Sequence, residues 1–221
     1  MNKDRRLRGR VREATTSVST PRRRLVQSAL ALALGLAATG IVRAAEDGPS
    51  PAAPVERLHA ALLDAAATGE TARARFERLM PVVEEVFDFT TMSRVAVGSA
   101  WAEFDAEERR ALTRAFAAYA AANYASNFDD ASGLAFRTVE VVEGDGHVRV
   151  RTELARPADA PVSFDYRVQR GSEGPRIVNV VVDDTMNELA RRRAEFRALL
   201  EAGGLENLLA TLDAQTRARL G

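Results

Sequence analysis

Between Leu134 and Asp183 apolar and polar residues alternate along extended segments. Val148, Val150, Thr152 and Leu154 stand against Arg149, Arg151 and Glu153; Val162, Phe164, Tyr166 and Val168 stand against Ser163, Asp165, Arg167 and Gln169. A period of two marks a strand with one buried and one wet face. Ile177 to Val182 is apolar on both faces and reads as the fourth strand. The links Gly144-Asp145-Gly146, Arg156 to Pro161 and Gly171 to Gly174 are too short for crossover helices, so neighbouring strands pair antiparallel as a four-stranded meander. Its apolar face requires a cover from elsewhere in the chain.

The period changes to 3.6 on both sides of the meander. Val55, Leu58, Leu62 and Ala65 predict a helix over 55–68 that stops at Gly69, and a second begins near Thr71 with Phe76, Leu79, Val83 and Val86, ended or kinked by Pro81. Phe87 to Trp101 reads as a short irregular apolar stretch. Asp105 and Glu108 have the spacing of a capping box, and behind them Leu112, Phe116, Tyr119 and Asn123, with Ala115, Ala120 and Tyr124 beside them, carry a helix to about Phe128. After a turn at Asp183-Asp184-Thr185, a helix from Met186 to about Glu201 is broken by Gly203-Gly204 and followed by an amphipathic Leu205–Leu212 segment. Alanines let a helix approach its neighbour closely but fill little volume. The space between sheet and helices is therefore either an ordinary packed core, the reading that periodicity favours, or an apolar void.

Charge and composition narrow the chemistry. Residues 1–44 hold ten Lys/Arg and two Asp/Glu, which leaves residues 45–221 with 21 basic and 29 acidic side chains, a net of −8. Such a balance does not suit binding to nucleic-acid phosphates or attraction to an anionic membrane. With no cysteine and two histidines, there is no thiol nucleophile, disulfide or thiolate metal site, and a histidine metal site lacks ligands. His59 reads as a surface or interfacial residue, and the Arg191-Arg192-Arg193 run as a solvated face. At the N-terminus, Arg22-Arg23-Arg24 precedes an apolar run from Leu25 to Val42, and Val42-Arg43-Ala44 offers small residues for cleavage. Residues 1–44 thus read as an export signal peptide for the Sec or twin-arginine route, and 45–54 as a flexible lead-in to a single domain over 55–215.

Specific residues then resemble a family. Phe87-Asp88-Phe89 with Met92, Gly98 and Trp101, the helix through Phe116 to Tyr124-Ala125, Val180-Val181-Val182-Asp183, Glu195-Phe196, and Gly204-Leu205 with Leu208 and Leu212 occur in the order seen in MlaC-type, or toluene-tolerance auxiliary, periplasmic phospholipid-binding proteins. The chain departs from that pattern at Asp184-Thr185-Met186 and Ala190-Arg191-Arg192, and its Asp184 to Ala190 run is more similar to the hopanoid-associated HpnM branch. The resemblance implies an α+β fold in which a curved four-stranded antiparallel sheet is cupped by helices, NTF2-like, with lipid tails in an apolar pocket. It implies no cofactor, the lipid being cargo, either phospholipid or hopanoid. The implied partners are an inner-membrane ABC transporter complex with its lipid-binding subunit and an outer-membrane lipoprotein complex.

On that basis Val150, Thr152, Phe164, Tyr166 and Val168 are candidates for the sheet wall of a lipid site, and Met92, Val95, Trp101, Phe116 and Met186 for its cover. The expected function is a soluble periplasmic lipid carrier and not an enzyme. An NTF2-like isomerase or dehydratase would need a buried Asp or His, and Asp165 falls on the wet face while His147 sits at a hairpin tip. A ligand-free periplasmic adaptor would instead show a fully packed interface between sheet and helices.

Overall fold

The sheet is an antiparallel meander in strand order β1-β2-β3-β4-β5. In the computed structural model, which describes residues 49–157 and 159–221, the strands are β1 (Ala135–Gly144), β2 (His147–Ala155), β3 (Val162–Gly171), β4 (Gly174–Val182) and β5 (Met186–Asn187). The expected export signal lies outside the described residues. The helices are α1 (Ala53–Ala66), α2 (Ala72–Val86), α3 (Phe89–Val97), α4 (Ala106–Asn127) and α5 (Glu188–Leu220), with a 3₁₀ turn at Gly98–Ala102. The α+β class is as the patterning implies. Among the described residues no helix is long and apolar enough to cross a membrane.

The strand count differs from the expected four because the turn after β4 is tighter than it reads. Asp183 and Asp184 both adopt positive φ, 48° and 57°, a left-handed conformation that short polar side chains tolerate best. The chain therefore reverses at once, and Met186 and Asn187 pair with Val182 and Val181. Only then does the Asn187 side chain accept from Ala190 N at 2.9 Å and start α5. Met186 belongs to the edge strand and not to the helix.

Capping fixes the other helices. Asp105 Oδ1 accepts from Glu107 N and Glu108 N at 2.7 and 2.8 Å while Glu108 Oε2 accepts from Asp105 N at 2.8 Å, the complete capping box at the head of α4. Phe87 to Trp101 is more ordered than its composition reads: Asp88 Oδ1 accepts from Thr91 N at 2.8 Å and opens α3. Pro81 does not end α2, which runs on to Val86. Near the middle of α5, Gly203 and Gly204 leave helical geometry, Gly204 at φ 66° and ψ −164°, a combination essentially open only to glycine.

Register places the alternation as expected. Val150 lies opposite Tyr166, Thr152 opposite Phe164, and Phe164 opposite Val182, all on one face. The wet face carries a ladder of ion pairs, with Arg149 on Glu140 (2.9 Å) and Asp165 (3.3 Å) and Arg151 on Asp184 (2.6 Å). Such exposed pairs contribute about 0–1 kcal/mol each, so they set sheet polarity more than stability. The apolar face meets the helices in one continuous core in which Val55, Leu58, Val83, Leu112, Val150 and Phe196 are fully buried.

Candidate functional site

One end of that core is open. A cavity of about 450 Å³ lies between the sheet and the helices. Its floor is strand residues two apart, Val162 and Phe164 on β3 and Val180 and Val182 on β4, as same-face positions must be. From α4 come Phe116, Tyr119, Ala120, Asn123, Tyr124 and Asn127, one stripe at spacings of three and four. Phe87, Phe89 and Met92 close one side, Glu188, Leu189 and Arg192 on the first turns of α5 another, and Phe128 and Arg156 stand at loop positions.

The apolar wall is mainly aromatic. Phe87 meets Phe89 and Tyr124 at ring-centroid distances of 5.4 and 6.2 Å, Phe89 meets Phe116 at 5.4 Å, and Tyr124 meets Phe128 at 6.4 Å. Only Phe89 and Phe116 meet edge to face, the other pairs being tilted, and each ring is supported by its neighbours beside the unfilled space.

The polar members of the wall are accounted for differently. Arg192 is buried, hydrogen-bonded to Glu195 at 2.5 Å and within 3.8 Å of Glu188, and its guanidinium lies 4.4 Å from the centre of the Tyr119 ring. Arg219 covers the same ring at 4.7 Å and donates to Asn123 Oδ1 at 3.3 Å. Glu188 accepts from Arg191 at 2.7 Å. Burial, then the Glu188 carboxylate, holds the Tyr124 phenol well above its ordinary range, so it is a neutral hydroxyl.

The structure distributes the candidate residues over three environments. Met92, Phe116 and Phe164 line the cavity. Val150, Thr152, Tyr166 and Val168 lie on the same sheet face but are buried in the packed core. Val95 and Met186 are exposed, and Trp101 borders a separate shallow groove with Arg109, Arg110 and Arg114. Val95 follows Met92 on α3 by three residues yet turns outward, and Met186 is carried away by the extra strand pairing.

Beside the cavity the core is closed by a residue read from the sequence as surface or interfacial. His59 of α1 is buried, stacks on Phe136 at 3.7 Å and shares a hydrogen bond of 3.0 Å with the Tyr166 hydroxyl. Burial lowers its pKa to about 4, so the ring is neutral. The Arg191-Arg192-Arg193 run is likewise no uniform solvated face, since Arg192 points inward. The Thr152 hydroxyl is buried without a protein hydrogen-bond partner. Asp165 remains on the wet face in ion pairs with Arg149 and Arg151, and His147 at the exposed hairpin binds the Asp145 carbonyl and Arg167. Among the described residues no group of three or more His, Cys, Asp or Glu is placed to hold a metal ion.

The stripe on α4 carried the signal for its own share of the missed wall. Positions 116, 119, 120, 123, 124 and 127 keep the helical period, but past Phe116 the residues become small or polar where a filled core would demand Leu or Val. Arg192 and Glu188 gave no such signal, because ion pairing at i, i+4 reads the same on a wet or a dry face.

Comparison with known proteins agrees with this architecture. The family model described as MlaC protein matches residues 54–214. No curated protein matches the chain. Among solved structures, that of a phospholipid-binding protein from Ralstonia solanacearum in complex with a phospholipid is similar, with a TM-score of 0.68 at 17% identity, covering 78% of this chain and 100% of the other.

Proposed function

The chain belongs to the MlaC family, and we propose from that premise that it is a soluble periplasmic lipid carrier whose cavity holds the hydrocarbon of a phospholipid or hopanoid. The observation that carries the reading is the aromatic-walled cavity of about 450 Å³ between sheet and helices, a volume in the usual range of roughly 300–1,000 Å³ for ligand sites. Support comes also from the fold it shares with a protein solved with phospholipid bound. Apolar burial gains about 25 cal/mol per Å², so a lipid tail is held by its surface alone and no polar contact is needed for affinity. Release then requires a partner that offers a competing apolar path.

On this reading residues 1–44 are a cleaved export signal, 45–54 a lead-in whose end is already helical from Ala53, and 55–215 the lipid-binding domain, an NTF2-like cone of sheet and helices. The cargo passes between an inner-membrane ABC transporter complex and an outer-membrane lipoprotein complex. Among the proposed wall residues Met92, Phe116 and Phe164 are retained, joined by Tyr119, Ala120, Tyr124 and Val182. Organic extraction of the purified protein followed by lipid mass spectrometry tests the proposal. A lipid recovered in near one-to-one ratio is expected; reproducible absence of lipid, with no transfer between vesicles, would overturn it.

A further inference from the structure

On the first turns of α4 the chain builds another concave site, a shallow groove of about 440 Å³ beside the 3₁₀ turn that follows α3. Arg109, Arg110, Thr113 and Arg114 line it at helical spacings, so they share one side of α4, and Trp101 of the 3₁₀ turn lines it with them. Arg109 is fixed there: its Nε donates to the Trp101 carbonyl at 3.0 Å, an Nη donates to the Ala102 carbonyl at 3.3 Å, and the guanidinium lies 5.5 Å from the centre of the indole ring. Arg110 and Arg114 are exposed, and among the described residues neither side chain has a hydrogen-bond or ion-pair partner. No carboxylate lines the groove. The acids next in sequence are Glu103, Asp105, Glu107 and Glu108, and of these Asp105 and Glu108 are turned to backbone amides in the capping box. Like charges within a helical turn of one another repel, and nothing in the wall of the groove offsets them.

We propose that this groove docks an acidic segment of a partner protein, whose carboxylates meet the Arg110 and Arg114 guanidinium groups while the rest of the segment packs beside Trp101. Charge complementarity carries the inference. Residues 45–221 are net −8, so a wall of arginines without acids is a local inversion of the chain's charge, and a planar guanidinium fork suits the two oxygens of a carboxylate. Spacing agrees. Residues one turn apart on a helix have Cβ atoms about 5–6 Å apart, alternate side chains of an extended segment recur at about 7 Å, and long arginine side chains span the difference. A membrane surface is the poorer fit. The net charge of the chain opposes approach to anionic lipid, and Trp101 is half-buried with Arg109 bonded to its carbonyl and lying over its ring, so the indole is not free to enter a bilayer. The groove shares no lining residue with the cavity, so docking there does not depend on what the cavity holds.

Trp101 is the chain's one tryptophan, so the intrinsic fluorescence of the purified full chain reads the groove directly. Titration with an end-blocked peptide of six glutamates is expected to change the emission saturably, while the corresponding glutamine peptide leaves it unchanged. Raising the salt from about 50 to about 500 mM should weaken binding of the glutamate peptide about tenfold, because exposed charges are screened. Arg110→Glu combined with Arg114→Glu should weaken it at least about tenfold, and Arg110→Lys combined with Arg114→Lys by about threefold or less. Both positions are exposed, and a cooperative urea transition shows that each variant folds. No saturable change, an equal response to the glutamine peptide, or a glutamate affinity unmoved by charge reversal would overturn the proposal. Binding of the wild-type chain to phosphatidylglycerol vesicles that is lost on charge reversal would assign the face to a membrane and overturn it as well.

Discussion

Two stretches of one sheet face meet different covers. Around Val150, Tyr166 and Val168 the face is buried in the packed core, and His59 of α1 closes over it, stacked on Phe136 and hydrogen-bonded to the Tyr166 hydroxyl. Beside Val162, Phe164, Val180 and Val182 the cover is the end of α4, where Ala120, Asn123 and Asn127 are too small or too polar to reach the strands. The strand residues are of one kind at both ends. What decides between core and cavity is the size of the side chains on the helix opposite, so a ligand site of this type is written in the cover more than in the sheet.

The largest expected effect comes from the closed end. Leu58→Ala removes a side chain with no exposed surface and should destabilise by about 2–5 kcal/mol, seen as a lower urea midpoint at unchanged slope. A cost under about 1 kcal/mol would mean the closed end is not close-packed.

Acid probes the same end through His59. Its pKa is about 4 in the folded protein against an ordinary 6.5, so the unfolded chain takes up the proton first. The stability tied to a neutral ring is complete above pH 6.5 and is lost as pH falls from 6.5 towards 4, by up to about 3 kcal/mol. His59→Gln should flatten the difference between urea unfolding at pH 7 and at pH 4.5 relative to wild type. Equal losses in both proteins would show that the ring is not held neutral by burial.

At the open end the corresponding truncation is cheaper. Phe164→Ala takes away a half-buried ring whose neighbours are Phe136 and Tyr166 at 6.3 and 6.2 Å, and about 1–2 kcal/mol is expected because one side of it already faces space. A loss as large as that of Leu58→Ala would erase the contrast between the two ends. The smallest stability change, within about 1 kcal/mol, is expected for Ala120→Phe, which builds a ring into the cavity where there is room for it. Its readout is lipid recovered per protein, which should fall severalfold while the urea midpoint holds.

Much of the fold was legible because period and capping are local. The capping box at Asp105 and Glu108, the alternation of β2 and β3 and the break at Gly203-Gly204 all need only neighbours in sequence. The fifth strand was not, since it depends on two consecutive aspartates both taking a left-handed conformation. Nor was the division of the sheet face: Tyr166 and Phe164 are equivalent by alternation, and only the tertiary arrival of His59 over one of them makes it core. Arg192 shows the same limit from the polar side, its neighbours at 191 and 193 being wet while Tyr119 draws it under cover.

That tyrosine also exposes the shape of α5. In an unbroken helix Arg192 and Arg219 would be separated by about 1.5 Å per residue, on the order of 40 Å. Both guanidinium groups nevertheless lie within 4.7 Å of the one Tyr119 ring, and Gln215 reaches Glu195 at 3.2 Å. The glycine pair therefore makes α5 a hairpin, with the aromatic ring of α4 as the clasp between its two arms. One arm supplies the cavity wall and the other secures it from behind, so opening the wall means opening the clasp.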